Sequence, residues 1–215
     1  GVFASMAYFD KTKYDSIQYR TLRGTLTVPN DGTANSIVGR YDSKTERLVW
    51  VAVGGGKGPD RGCNYLIAPK ENAVYAIGYY SDTAHFPDFN GSGTVPKTFS
   101  HGGTDIFIAR YAYDTGALTW VNGGGSEGRD FGYMYTDAQG AIRYHQGKIC
   151  IAHDSLTSRV DVWGVSWGRT LHFENASGIS DDRSITNDSL KFVRISIDGG
   201  SGVVTGLQLD TVMPY

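Results

Sequence analysis

Cysteine is scarce in this chain, proline nearly so, and no stretch stays apolar for long. Two cysteines, Cys63 and Cys150, in 215 residues exclude a disulfide-dense scaffold. They allow one disulfide in an oxidising compartment or two isolated thiols, and spacing does not choose between these. No run approaches the roughly 20 apolar residues that cross a bilayer as a helix. Charge of one sign is missing too. Twenty Lys and Arg stand against 22 Asp and Glu, a formal net charge of -2, which gives no basic field for nucleic acid or anionic lipid. Helical periodicity with capping residues is absent, so almost no helix is expected. No apolar signal segment opens the chain, and Gly1 rather than Met stands first, which reads as a processed or excerpted chain.

What the chain has is glycine and tyrosine, 29 and 14 residues, punctuating short segments rich in Tyr, Val, Ile and Thr. That is β-structure. Hydrophobic residues at 40% and charged residues at 20% fit a folded protein with a sizeable core.

An internal repeat organises the sequence. Ile37 to Gly56 reads IVGRYDSKTERLVWVAVGGG, and Ile106 to Gly125 reads IFIARYAYDTGALTWVNGGG. Arg40, Tyr41, Leu48, Trp50 and Val51 match Arg110, Tyr111, Leu118, Trp120 and Val121 at one offset, with the glycine triplets a residue out of step. Gly58, Asp60 and Gly62 then meet Gly128, Asp130 and Gly132. A weaker copy, Phe192 to Asp198 (FVRISID), places Arg194 where Arg40 and Arg110 stand, then continues through Gly199-Gly200-Ser201-Gly202 into Val203 to Leu209, without the tryptophan. Alternation in these segments predicts half-buried strands. Asp114-Thr115-Gly116 and Asp198-Gly199-Gly200 are turn chemistry, and Trp50 and Trp120 are expected to fill space between neighbouring sheets.

The expected fold is therefore all-β: a β-propeller-like array of three four-stranded antiparallel blades, the alternative being another threefold β-sheet arrangement. One domain covers 1–215, with units 34–102, 103–191 (carrying a long insertion, 158–189) and 192–215 plus 1–33. In that last unit, strands near Val2–Phe9 and Ser16–Thr21 share a blade with the C-terminal strands, so termini are expected to meet in one sheet, either within one chain or between neighbouring chains. The rim segments Ser81 to Thr104 and Ser158 to Ser189 are where function is expected to concentrate.

Several features invite a chemical reading. Gly54-Gly55-Gly56-Lys57-Gly58 lacks the Gly-Lys-Ser/Thr ending of a phosphate loop and reads as a repeated glycine turn. His85, His101, His145, His153 and His172 show no metal-ligand spacing. His153-Asp154-Ser155 cannot form a triad, since adjacent strand residues face opposite ways. Asp60 and Asp130 read as turn residues. No cofactor is expected; Asp181, Asp182 and Asp188 of the acidic loop are candidate calcium ligands, although the loop lacks the spacing of a defined calcium motif and reads otherwise as a solvated, turn-rich loop. Asn90, Asn175 and Asn187 begin N-glycosylation sequons, all in the expected rim loops. Tyr79, Tyr80, Phe86 and Phe89, with Trp163 and Trp167 in the other insertion, are candidates for a sugar-stacking platform. Val160 to Trp167 (VDVWGVSW) reads as an additional strand, an edge or an interchain contact.

GGTDIFIARY, Asp114-Thr115-Gly116, Leu118-x-Trp120 and GGGSEGRDFG together resemble the SBBP family, the β-propeller repeats of secreted and surface proteins. SIVGRYD…LVWVAVGGGKGPDRG resembles it too. The resemblance covers about two-thirds of the chain and implies a four-stranded blade, an extracellular or envelope setting and no catalytic residues. Ala112 to Trp120 also resembles the tryptophan-docking motif of quinoprotein propellers, though convincingly only once. The expected function is a non-enzymatic extracellular structural or adhesive module. It would work through protein–protein contact with other copies of itself or with other extracellular proteins, assembling into oligomers or filaments. The alternative is a carbohydrate-binding, lectin-like propeller, and a quinoprotein-like enzyme fragment stands third.

Overall fold

The computed structural model describes residues 2–7, 16–21, 24–29, 35–56, 61–86, 97–128, 130, 132–136, 142–146, 149–167, 170–174, 183–184 and 190–211. The strands are β1 (Val2–Ala7), β2 (Ser16–Thr21), β3 (Gly24–Pro29), β4 (Asn35–Asp42), β5 (Arg47–Gly56), β6 (Arg61–Ala68) and β7 (Ala73–Tyr80). They continue through β8 (Thr83–His85), β9 (Lys97–Phe99), β10 (Asp105–Ala112), β11 (Leu118–Ser126), β12 (Gly132–Thr136) and β13 (Ile142–Gln146). The last are β14 (Cys150–Asp154), β15 (Arg159–Trp167), β16 (Thr170–Glu174), β17 (Arg183–Ser184), β18 (Leu190–Asp198) and β19 (Val204–Thr211). The described chain is all-β, and a 3-10 turn at Pro69–Glu71 is its only helical element. No helix among the described residues is long and apolar enough to cross a membrane.

The strands form three main sheets. The first is built on β1-β4-β5, with the β2–β3 hairpin and β8–β9 attached to β5. The second runs β6-β7-β10-β11 and is extended by β16 and β17; the third runs β14-β15-β18-β19. A separate hairpin, β12–β13, follows β11 and precedes β14 in the chain. Among the described residues, all pairings are antiparallel except one parallel bridge, Thr21 to Leu48.

The second sheet is the middle layer. Residues alternating along its strands point to opposite faces, and each face feeds a different core. Val74, Ala76, Phe107, Ala109, Tyr111 and Val121 pack against Val38, Trp50 and Ala52 of the first sheet. Tyr75, Ile77, Ile106, Ile108 and Trp120 pack against Val160, Val162, Val193, Ile195 and Ile197 of the third. Both faces are apolar, which is why β7 is buried along its whole length.

This topology corrects the expected arrangement of the ends. β18 pairs with β15 from Arg159↔Asp198 to Trp167↔Leu190, and β19 pairs with β18, whereas β1 pairs with β4. Among the described residues, the terminal strands β1 and β19 lie in different sheets. Val160 and Val162 face Ile197 and Ile195 across the β15–β18 pairing, so β18 has its partner within the third sheet. Sheets break between β5 and β6 and between β11 and β14, so the described part of 34–102 is divided between two sheets. Residues 159–167, expected within an insertion, form an inner strand of the third sheet.

The third repeat copy also aligns differently. Bulges fall between Arg40 and Tyr41, between Arg110 and Tyr111, and between Ser196 and Ile197. The hairpin loops agree in detail. Ala112 N–H donates to Ala117 O and Gly116 N–H to Ala112 O, as Asp198 N–H donates to Val203 O and Gly202 N–H to Asp198 O. Gly116 and Gly202 share a positive φ of 72° and 77°, the left-handed turn that glycine adopts without strain. Ser196, not Arg194, therefore occupies the place of Arg40 and Arg110.

Candidate functional site

Each sheet is locked onto the next in the same way. Trp50 Nε1 donates to Tyr113 O at 2.8 Å, and Trp120 Nε1 donates to Gly199 O at 3.1 Å. Tyr113 and Gly199 are equivalent positions in the hairpins of the second and third sheets. A buried indole thus fills the gap between sheets and satisfies its N–H on the neighbour's turn. Arg40 supports the first lock, its guanidinium 4.3 Å from the Tyr113 ring centroid and 3.3 Å from Asp114 Oδ1. Asn122 Nδ2, donating to Gly202 O at 2.8 Å, supports the second.

A second latch explains the glycine triplets, which are not turns. β5 runs through Gly56 and β11 through Gly125 in extended form. The hairpin inserted in the following sheet pairs there: Gly55↔His85 and Gly56↔Ala84 in one case, Gly123↔Glu174 to Ser126↔Leu171 in the other. A Cβ on Gly54 would collide with the Phe86 ring, and one on Gly124 with Phe173. Bare backbone is required for the aromatic to seat.

Polar residues gather where β16 joins β11. Asp130 is fully buried and accepts from Ser126 N–H, from Ser126 Oγ at 2.8 Å and from Ser166 Oγ. Its repeated position, expected to serve a turn, is here a tie between β11 and β15; Asp60 lies outside the described residues. Asp105, also fully buried, accepts the His101 N–H at 2.6 Å. The His101 and His172 rings stack at 4.7 Å. Both serines are buried and bonded to a carboxylate, so the hydroxyls are used within the protein.

The third sheet presents a different kind of face on its far side. Val160, Val162, Val193 and Ile195 point into the core, so Asp161, Trp163, Phe192 and Arg194 point outward. Relative to the second sheet, Tyr75 has become Asp161, Ile77 Trp163, Ile106 Phe192, Ile108 Arg194 and Trp120 Gly206. The apolar face that elsewhere receives the next sheet is replaced by an ion network. Arg194 Nη2 lies 2.9 Å and Arg159 Nε 3.1 Å from Asp161 Oδ2, while Ser196 Oγ donates to Asp161 Oδ1 at 2.6 Å. Burial pushes the Asp161 carboxyl up, but hydrogen bonds from Arg194 and Ser196, with the Arg charges, hold it below the usual carboxylate range. Two aromatics remain on this face. Phe192 is 41% exposed, and Trp163 lies 5.8 Å under the Arg194 guanidinium. The surface offers fixed donors and acceptors, paired charges and aromatic area.

The residues singled out in the sequence distribute unevenly over this framework. Tyr79, Tyr80 and Phe86 are core residues, at most 1% exposed, and make no platform; Phe89 lies outside the described residues. Asp181, Asp182, Asp188, Asn90, Asn175, Asn187 and Lys57 also lie outside them. Among the described residues no three His, Cys, Asp or Glu side chains are placed to share a metal ion. His153 Nε2 meets Glu71 Oε2 at 3.0 Å, Asp154 caps its own turn through Leu156 N–H and Thr157 Oγ1, and Ser155 is exposed. Cys150 is an exposed free thiol. Sequence reasoning missed Asp161, Arg194 and Ser196 as a group. For Asp161 and Arg194 the signal was charge at positions that are Tyr75 and Ile108 in the second repeat, and for Ser196 the loss of the repeated arginine, readable only once the copies are aligned correctly. No protein-family model, curated protein or solved structure matches the chain.

Proposed function

We propose that the chain is a non-enzymatic extracellular contact module: an open, propeller-like stack of blades that presents the outer face of its third sheet to another extracellular protein. The observation that carries this is the changed face. Asp161, Arg194 and Gly206 break the pattern by which one sheet receives the next, yet Trp163 and Phe192 keep aromatic area there. Exposed aromatics and Arg among satisfied polar groups are the composition of protein contact surfaces. The resemblance to secreted SBBP repeats and the three sequons support the extracellular setting.

The test is binding of labelled chain to intact cells and to proteins of the surrounding medium, beside a Trp163→Ala/Phe192→Ser variant of matched thermal stability. Saturable binding lost in the variant supports the reading. Equal binding by both chains, or none by either, overturns it. A lectin reading stands second, favoured by the same aromatic pair beside Arg194 and Asp161. A glycan array with saturable hits lost on Trp163→Ala would transfer the surface to sugar.

A further inference from the structure

The joint between the second and third sheets holds an acid pair that surface contact does not use. Asp105 opens β10 and Asp130 follows β11, and both side chains are fully buried. A Cβ on Gly125 would collide with Asp105 Oδ1 and Asp130 Oδ2, so the bare glycine is what lets the two carboxyls face each other. Asp130 is bonded to Ser126 and Ser166. Asp105 is only half satisfied: Oδ2 accepts the His101 N–H, and Oδ1 has no donor. Two enclosed carboxyls do not both ionise without a large cost, and a proton on one of them supplies the missing donor.

The other titratable groups facing the pair are His101, with Nδ1 3.5 Å from Asp105 Oδ2, and His172 of β16, stacked on His101. Glu127, at the exposed rim, takes the Thr170 N–H at 3.3 Å. The cluster therefore joins the start of β10 and the end of β11 to β15 and β16, which enter from the third sheet's part of the chain.

We propose that this pair is a proton-operated latch. While Asp105 and Asp130 share one proton, β15 and the β16–β17 hairpin stay fastened to the second sheet, and loss of that proton loosens them. Burial pushes Asp105 up, the His101 N–H pulls it partly back and the Asp130 charge raises it again, to about 7. The sign follows from linkage. A carboxyl raised in the closed joint holds a proton that the open joint releases. Opening therefore grows roughly tenfold per pH unit between the ordinary carboxyl range and neutrality, then levels off.

Hydrogen–deuterium exchange of the intact chain between pH 5 and 9, corrected for intrinsic exchange, reads this directly (the pH limits are about two units either side of the crossover). Amides of Gly123–Ser126 and Leu171–Phe173 are expected to gain exchange by roughly tenfold per unit up to neutrality, while the β7–β10 pairs stay protected. Asp105→Asn is expected to flatten the profile. A pH-independent joint in the native chain, or a rise spread uniformly over all three sheets, overturns the latch. Should Asp105→Asn fail to fold, the native-chain profile decides alone.

Discussion

Trp50 and Trp120 each do two jobs, filling the space between sheets and donating an indole N–H to a turn carbonyl of the next sheet. Truncating either leaves a cavity and removes the shorter of two donors, leaving Tyr113 O to Arg40 Nη1 at 3.5 Å or Gly199 O to Tyr75 Oη at 3.4 Å. Trp120→Ala is expected to destabilise the fold by about 3–5 kcal/mol, measured by denaturant unfolding, with Trp120→Phe intermediate. Gly116 depends on its neighbour as well as its backbone. Its φ is 72° and a Cβ would strike the Trp50 indole, so Gly116→Ala combines left-handed strain with a clash and is expected to cost more than about 1 kcal/mol. Gly202 has a similar φ of 77° in the equivalent turn, so Gly202→Ala is expected to carry the same left-handed strain, read in the same unfolding measurement. Both tryptophans were legible as inter-sheet residues from their spacing. Their hydrogen-bond acceptors were not, because Tyr113 and Gly199 share a position and no chemistry beyond the backbone.

At the scale of elements, the repeat was legible and its phase was not. Alternation has a period of two, so a two-residue slip keeps every side chain on its proper face; Arg194 and Ser196 are such a pair. Only the bulge and the hairpin loop fix the copy, and both are backbone features. The glycine triplets show a similar limit. Composition reads them as turns, whereas Phe86 and Phe173 make them landing strips for a hairpin. Gly124→Val is therefore expected to unseat β16 from β11 while leaving β10–β11 intact. Faster amide exchange confined to Leu171–Phe173 would show this, and unchanged protection there would refute the seating. β12–β13 hid the third sheet further, since it lengthens the spacing between copies so that Gly132, which matches Gly62, starts an extra hairpin rather than the sheet.

Across the whole molecule the first and third sheets share no core cluster among the described residues, and the far face of the third sheet carries charge where the second carries Tyr and Ile. Stability against pH should have a flank on each side. Asp105, raised, contributes most in acid and loses its contribution as pH climbs to about 7. Asp161, lowered, contributes above the ordinary carboxylate range and loses it as pH falls below that range. Melting temperature should accordingly peak between the two, in mildly acidic buffer.

The charged face also bears on assembly. If Asp161, Arg194 and Gly206 are what ends the stack, restoring the second sheet's residues should reopen it. Asp161→Tyr/Arg194→Ile/Gly206→Trp would expose a broad apolar face with an unpartnered indole, the kind of surface that drives association. The native chain is expected to sediment as one species across concentration and the triple variant to form dimers or larger particles. A variant that stays folded and monomeric would show that the far face does not terminate stacking, and that some other part of the chain sets the number of sheets.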